Sequence, residues 1–307
     1  HADGIQIYPV RANEELAREL AIEPGDEVII PQPCFVSYEP CVRMADGVPV
    51  CISLKEENQF RLQPEELEAA ITPKTKILFI SYPNNPTGAI MEKEDLEKLL
   101  PIIVKHDLLV ITDEIYSELT YGGKNHFSII SLPGMQERCI YVNGFSKAFA
   151  MTGWRLGYAM APAPILHEMV KIHQYCIMSS PTISQYAAIY AMTSGDADTQ
   201  MMRHSYDRRR KYLMRRFAEM KIPCFEPKGA FYVMAKLPVD DAEKFQLFML
   251  EEFDDNGDTL MFTPAESFYK TPHTGVNEIR MAYVINQDAL KRSMELLAKG
   301  IEAYNNH

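Results

Sequence analysis

Six short runs rich in Val, Ile and Leu punctuate the first half of the chain, and their spacing constrains the fold more than any other feature. They are Glu27–Ile30, Val48–Leu54, Lys76–Ser81, Leu108–Thr112, Cys139–Val142 and Leu156–Met160. Apolar runs of this length suit strands buried on both faces. Helical patterns lie between them, such as Glu92–Lys105, whose start is marked by the acidic turn Glu92-Lys93-Glu94-Asp95. Strands alternating with helices predict an α/β fold with a mostly parallel sheet flanked by helices.

Beyond about Met192 the character changes. A long charged helix is expected over Asp196–Met220. It is followed by a strand (Phe231–Leu237), a helix (Asp241–Glu252), a strand (Glu278–Val284) and a last helix (Gln287–Tyr304). This predicts a smaller C-terminal α+β domain. The expected division is a large domain over residues 1–200 and a small one over 201–307, with the boundary inside the long helix.

Bulk properties narrow the function classes. The 307 residues are 47% hydrophobic and 24% charged, a balance that suits a sizeable core. No apolar run approaches the roughly 18 residues of a membrane span. The start, His1-Ala2-Asp3-Gly4, shows no secretory signal and no initiator Met, so a trimmed N-terminus is expected. A net charge of -11 argues against nucleic acid or anionic membrane as a partner. The six cysteines form no CxxC pair and the eight histidines show no metal spacing. Reduced thiols in a cytoplasmic setting are expected, with no metal.

Three of the strands run into polar clusters. Lys76–Ser81 leads to Tyr82-Pro83-Asn84-Asn85-Pro86-Thr87-Gly88. Leu108–Thr112 leads to Asp113-Glu114-Ile115-Tyr116, and Cys139–Val142 to Asn143-Gly144-Phe145-Ser146-Lys147. Ligands of open α/β sheets bind outside the carboxyl ends of the strands, so one shared site is expected. Each residue alone has an ordinary reading. A lone Lys is usually a solvated charge, a strand-end Asp a helix cap, and Asn-Asn-Pro-Thr-Gly a turn. Together they offer mutually useful chemistry. A lysine near apolar walls and a second cation, such as Arg155, can act as a nucleophile toward a carbonyl. Lysine plus an Asp partner for a pyridinium nitrogen is the recurring signature of a pyridoxal phosphate site.

The stretch Gly144-Phe145-Ser146-Lys147-Ala148-Phe149-Ala150-Met151-Thr152-Gly153-Trp154-Arg155-Leu156-Gly157 resembles the pyridoxal-attachment motif of class I aminotransferases. The clusters at residues 82–88 and 113–116, and Pro227-Lys228-Gly229-Ala230-Phe231-Tyr232, resemble three more motifs of this fold-type I class I/II family in the same order. The chain looks most like bacterial aspartate/aromatic-type enzymes, including the bacillus type called aminotransferase A. The resemblance implies an aspartate aminotransferase-like large domain, pyridoxal 5'-phosphate as cofactor, amino-acid and 2-oxo-acid substrates, and a homodimer. It implies that Lys147 forms the internal aldimine and moves the α-proton, and that Asp113 pairs with the pyridinium nitrogen. Tyr116 and Asn85 would hold the phenolate oxygen, Ser146 and Arg155 the phosphate, and Phe35 would stack on the ring. Asn85 and Arg280 would bind the substrate carboxylate, and Asn85-Pro86 would be a cis peptide.

Two departures stand out. The family's phosphate-binding turn before the first helix has only Arg11-Ala12-Asn13-Glu14 as a candidate, so the N-terminal part of the large domain is expected to be truncated. The family's Pro-Gly pair near the substrate is replaced within Thr263-Pro264-Ala265-Glu266-Ser267-Phe268. The basic run Arg208-Arg209-Arg210-Lys211 is read as a solvated helix face, and Asp254-Asp255-Asn256-Gly257-Asp258 as a turn rather than a calcium loop. Two rival functions remain: a carbon–sulfur β-lyase on the same fold, and a truncated, non-catalytic relative that keeps the cofactor pocket. The amino donor and acceptor are not specified by these residues.

Overall fold

A computed structural model describes residues 24–307. The candidate turn Arg11-Ala12-Asn13-Glu14 lies outside the described residues. Six strands form the larger sheet: β1 Glu27–Gln32, β2 Val48–Ser53, β3 Thr75–Ser81, β4 Leu109–Asp113, β5 Cys139–Gly144 and β6 Gly157–Met160. Their order is β2-β1-β3-β4-β5-β6. All but β6 pair in parallel. β6 runs antiparallel to β5, with Gly144 opposite Gly157. Between them lie only the short helices Phe145–Ala148 and Thr152–Trp154, too little for the crossover that a parallel pair requires.

The helix Lys93–Lys105 shows why the α/β reading holds. Glu92 and Asp95 form a capping box, in which the Asp95 carboxylate accepts the Glu92 N–H at 3.0 Å. Leu96, Leu99 and Ile103 recur at helical spacing and are all buried. They pack in one cluster with Leu78, Leu108 and Val110 of and beside the sheet.

A second sheet has the order β7-β9-β8, all antiparallel: β7 Tyr232–Lys236, β8 Thr263–Pro264 and β9 Glu278–Ala282. Its core joins Phe217 of the helix Asp196–Glu219 to Phe245, Tyr283 and Leu297. The fold class is therefore as expected, a mostly parallel sheet flanked by helices with a smaller antiparallel sheet.

The basic run needs correction. Arg208 is exposed, but Arg210 is buried and bonds Asp207 Oδ1 at 2.8 Å and Glu226 Oε1 at 2.6 Å. Its guanidinium also covers the Tyr121 ring. A helix 24 residues long presents every side, and Arg209 of the run also meets the body of the protein, donating Nη1 to the Val284 carbonyl at 2.9 Å.

Two glycines lock the Asn85 loop to the segment before β7. Gly88 has φ +71°, and a Cβ there would meet Pro227 Cβ at 2.3 Å. A Cβ on Gly229 would meet Pro83 Cβ at 2.5 Å, while Gly88 O accepts the N–H groups of Lys228 and Gly229 at 2.8 and 2.9 Å. Gly229→Ala is expected to destabilise the fold by about 1–3 kcal/mol through overpacking. Thermal and urea unfolding check this, and an unchanged midpoint would contradict it.

Candidate active site

Four neighbouring parallel strands, β1, β3, β4 and β5, deliver the candidate residues to one edge of the sheet. Phe35 comes after β1, Asn85 after β3, Asp113 ends β4, and Ser146 and Lys147 come after β5. Register brings Ser81 opposite Asp113, and Asp113 opposite Val142. The shared edge expected from the strand ends is thus present.

Asp113 is oriented on both oxygens. Oδ1 accepts the Ile115 N–H at 3.0 Å, and Oδ2 accepts the Tyr38 hydroxyl at 2.7 Å. The Tyr38 oxygen also lies 3.0 Å from Ser81 Oγ, and its ring stands against Phe79 with centroids 4.1 Å apart. Burial, with the Asp113 charge beside it, pushes the Tyr38 phenol well above its ordinary pKa. Tyr38 therefore stays a neutral donor to the carboxylate. Phe35 is half-buried and meets Tyr38 edge-on at 5.7 Å.

Lys147 sits in the first turn after β5, half-buried, with Nζ 5.9 Å from the Tyr116 ring centre and 5.8 Å from that of Phe231. Tyr116 is buried, and its hydroxyl lies 3.0 Å from that of Tyr232. Ser146 is buried beside Lys147. Its carbonyl accepts the Thr152 hydroxyl at 2.9 Å, and the Thr152 carbonyl accepts Arg155 Nη1 at 2.9 Å. Ser146 and Arg155 thus belong to one closed loop, on which Arg155 is exposed and has φ +55°.

Arg280, from β9, meets the Asn85 loop although 195 residues separate them. Nη1 donates to Asn85 Oδ1 at 2.9 Å and Nη2 to Thr263 Oγ1 at 3.3 Å. The guanidinium is sandwiched by Tyr232 at 4.5 Å and Phe268 at 4.9 Å. None of these four neighbours is an anion. Nε is buried and has no hydrogen-bond partner among the described residues. Burial lowers the Arg280 pKa, opposed by Tyr232 and Tyr116. A half-buried cation faced by neutral groups among the described residues is costly, and an arriving carboxylate would offset that cost. Asn85-Pro86 is cis, as expected.

Sequence reasoning assigned no role to Tyr38, Tyr232, Phe268 or Thr263. Tyr232 belongs to the fourth motif, and its spacing in β7 marks it as facing the same side as Met234. Thr263 lies in the departing loop and pairs opposite Arg280 in the small sheet. Two residues of strand carry no periodicity from which β8 could have been read.

Comparison with known proteins bears on this site. The sequence model described as aminotransferase class I and II matches residues 10–256. The aspartate aminotransferase of Pyrococcus abyssi is 41% identical over 296 residues, covering 94% of this chain and 74% of that protein. Aromatic-amino-acid aminotransferase 2 of Thermococcus litoralis is 39% identical, covering 95% of this chain and 75% of that protein. The crystal structure of an aromatic aminotransferase from Pyrococcus horikoshii superposes with a TM-score of 0.85 at 40% identity, over 94% of this chain and 76% of that one. Relatives with such names favour transamination over the β-lyase rival.

The residues present fit pyridoxal phosphate. A primary amine lies against two rings, an oriented carboxylate ends the neighbouring strand, and a buried tyrosine hydroxyl and asparagine amide stand close by. Matching motifs, a matching fold and this donor set converge, and the chain belongs to the class I and II aminotransferases, enzymes that carry out transamination with pyridoxal phosphate.

Proposed function

We propose that Lys147, Asp113, Tyr116, Asn85, Ser146, Arg155, Phe35 and Arg280 together exchange the amino group of an L-amino acid with a 2-oxo acid. The observation that carries this reading is Arg280: a half-buried guanidinium whose neighbours among the described residues are neutral, bonded to Asn85 on the edge where Lys147 stands. Substrates of both half-reactions share one feature, a carboxylate next to the reacting carbon, and a planar guanidinium suits it. Pyridoxal phosphate supplies an aldehyde carbon and a ring that withdraws electrons.

Asp113, fixed by Ile115 N–H and Tyr38, holds a proton on the ring nitrogen. Tyr116 and Asn85 would donate to the ring's oxygen, and Phe35 would hold the ring from one side. Ser146 and Arg155 anchor the phosphate. Lys147 Nζ is the attachment point. Free of the cofactor, that amine would be the base that takes the proton from the substrate α-carbon and delivers it to the cofactor's former carbonyl carbon, two bonds away. The apolar wall of Tyr116 and Phe231 keeps that amine from full hydration.

The purified protein with pyridoxal phosphate, mixed with a panel of amino acids, tests this. The panel includes aspartate and the aromatic amino acids, after which similar proteins are named. The cofactor spectrum is expected to pass from the aldehyde to the amine form and to return on adding 2-oxoglutarate. Pyruvate release without an oxo acid would sink transamination in favour of the lyase.

The exposed face of the helices Ala163–Cys176 and Thr182–Ser194 supports a homodimer. Ile183, Tyr186, Ile189 and Tyr190 are 59–72% exposed on the second helix. A contiguous apolar face of this kind marks an interface. Light scattering is expected to give twice the chain mass, and Ile183→Asp with Tyr190→Asp to give a monomer. A monomeric parent protein would refute the dimer. We also propose a cytoplasmic location, consistent with six free thiols, and the division of the chain near residue 200. Among the described residues, no helix is long and apolar enough to cross a membrane.

A further inference from the structure

We propose that Tyr232 is a positioning residue of this site: its hydroxyl sets how strongly Tyr116 donates to the cofactor's phenolate oxygen. The inference rests on the reading that Tyr116 holds that oxygen. The two hydroxyl oxygens lie 3.0 Å apart, and both side chains are buried. Their rings meet edge-on, with centroids 5.8 Å apart and an interplanar angle of 80°. Tyr232 is held there from several sides. Its backbone pairs with Ala282 in the small sheet, the Arg280 guanidinium covers its ring at 4.5 Å, and the Phe231 ring lies at 4.8 Å.

The direction of the hydrogen bond comes from counting hydrogens. A phenol has one hydrogen to give and two lone pairs with which to accept. If Tyr116 gives its hydrogen to the phenolate, Tyr232 must be the donor between the two. A cation over the ring draws electron density from the phenol, so Arg280 makes Tyr232 a better donor. That bond polarises Tyr116 and strengthens the hydrogen bond that Tyr116 donates in turn, by roughly 10–30% in such chains. A hydrogen bond to a charged form favours that form. The phenolate depends most on Tyr116 when the cofactor-linked Lys147 nitrogen carries no proton. Tyr232 therefore lowers the pH at which that nitrogen loses its proton. It also leaves a single side chain between Arg280 and Tyr116. The other charged or titratable groups facing this chain of contacts are Lys147 after β5, Asp113 at the end of β4 and Tyr206 on the long helix. Tyr206 feels Tyr232 directly, and the Tyr116→Phe background separates that influence from the one relayed through Tyr116.

The test is a pH titration of the visible absorbance of the Lys147-linked cofactor in the holoprotein. Tyr232→Phe keeps the ring beneath Arg280 and deletes only the hydroxyl. Its midpoint is expected to rise by about 0.2–0.6 of a pH unit. Tyr116→Phe should raise the midpoint further, and adding Tyr232→Phe to it should change nothing more, because the effect passes through Tyr116. No shift in Tyr232→Phe overturns the proposal. So does a downward shift, which would make Tyr116 the donor to Tyr232, and so does a shift that persists in the double variant. If the parent protein with pyridoxal phosphate shows no such band, or Lys147→Ala retains it, the reading of Lys147 fails and this inference fails with it.

Discussion

Lys147→Ala is expected to lower kcat by about 10⁴-fold or more. A positioned base by itself contributes roughly 10²–10⁴, and Lys147 is also the proposed point of attachment. The fold should survive the change. The side chain is half-buried and stands over Tyr116 and Phe231 at cation–π range, a contact of about 1 kcal/mol or less when partly exposed. Steady-state turnover with 2-oxoglutarate as acceptor reads the loss, and an unchanged thermal midpoint separates it from unfolding. The void left by the amine lies against two rings. A small primary amine in solution should therefore restore part of the proton transfer. Turnover within tenfold of the parent would remove Lys147 from the reaction.

Arg280→Ala carries the second large effect, on kcat/KM for amino acids and oxo acids alike. Deleting one partner of a desolvated, hydrogen-bonded charge pair costs about 2–5 kcal/mol, which is roughly 30-fold to 4,000-fold in kcat/KM. Arg280→Lys should recover only part of this, because one ammonium cannot present the fork that spans Asn85 and a carboxylate. Stability should move the other way. Among the described residues, the cation without substrate has neutral neighbours and an unbonded, buried Nε. Replacing such a group with an apolar one of similar volume is often neutral or stabilising, so Arg280→Met should melt no lower than the parent. This behaviour has no pH window in the working range. Burial lowers the guanidinium pKa from a value far above neutrality, and the cost is a constant one. If the parent and Arg280→Ala have equal kcat/KM for every amino acid tried, Arg280 is not the carboxylate anchor.

The local sequence was enough to place the strands and the polar clusters at their ends. Leu78, Phe79 and Ile80 of β3 are buried in succession because both faces of that strand are covered, and such strands read as near-continuous apolar runs. The clusters come directly after these runs, so parallel pairing alone brings Asn85, Asp113 and Lys147 to one edge. Their chemistry and spacing were legible for the same reason. Capping also speaks locally, as at Glu92 and at Asp241, whose side chain accepts the N–H groups of Glu243 and Lys244.

Only the tertiary structure decided the contacts between residues far apart in the chain. Arg280 reaches Asn85 across 195 residues, Tyr232 reaches Tyr116 across 116, and Tyr38 reaches Asp113 across 75. No period of 2 or 3.6 encodes such pairs, because periodicity reports which face of an element is buried and not what lies against it. Arg210 shows the same limit: its basic neighbours marked a solvated face, yet packing against Glu226 and Tyr121 buried it. The sequence by itself determined the sheet, its edge and the reacting groups upon it. The packing of the small sheet against that edge decided which side chains orient those groups, since orientation depends on the partner a side chain meets.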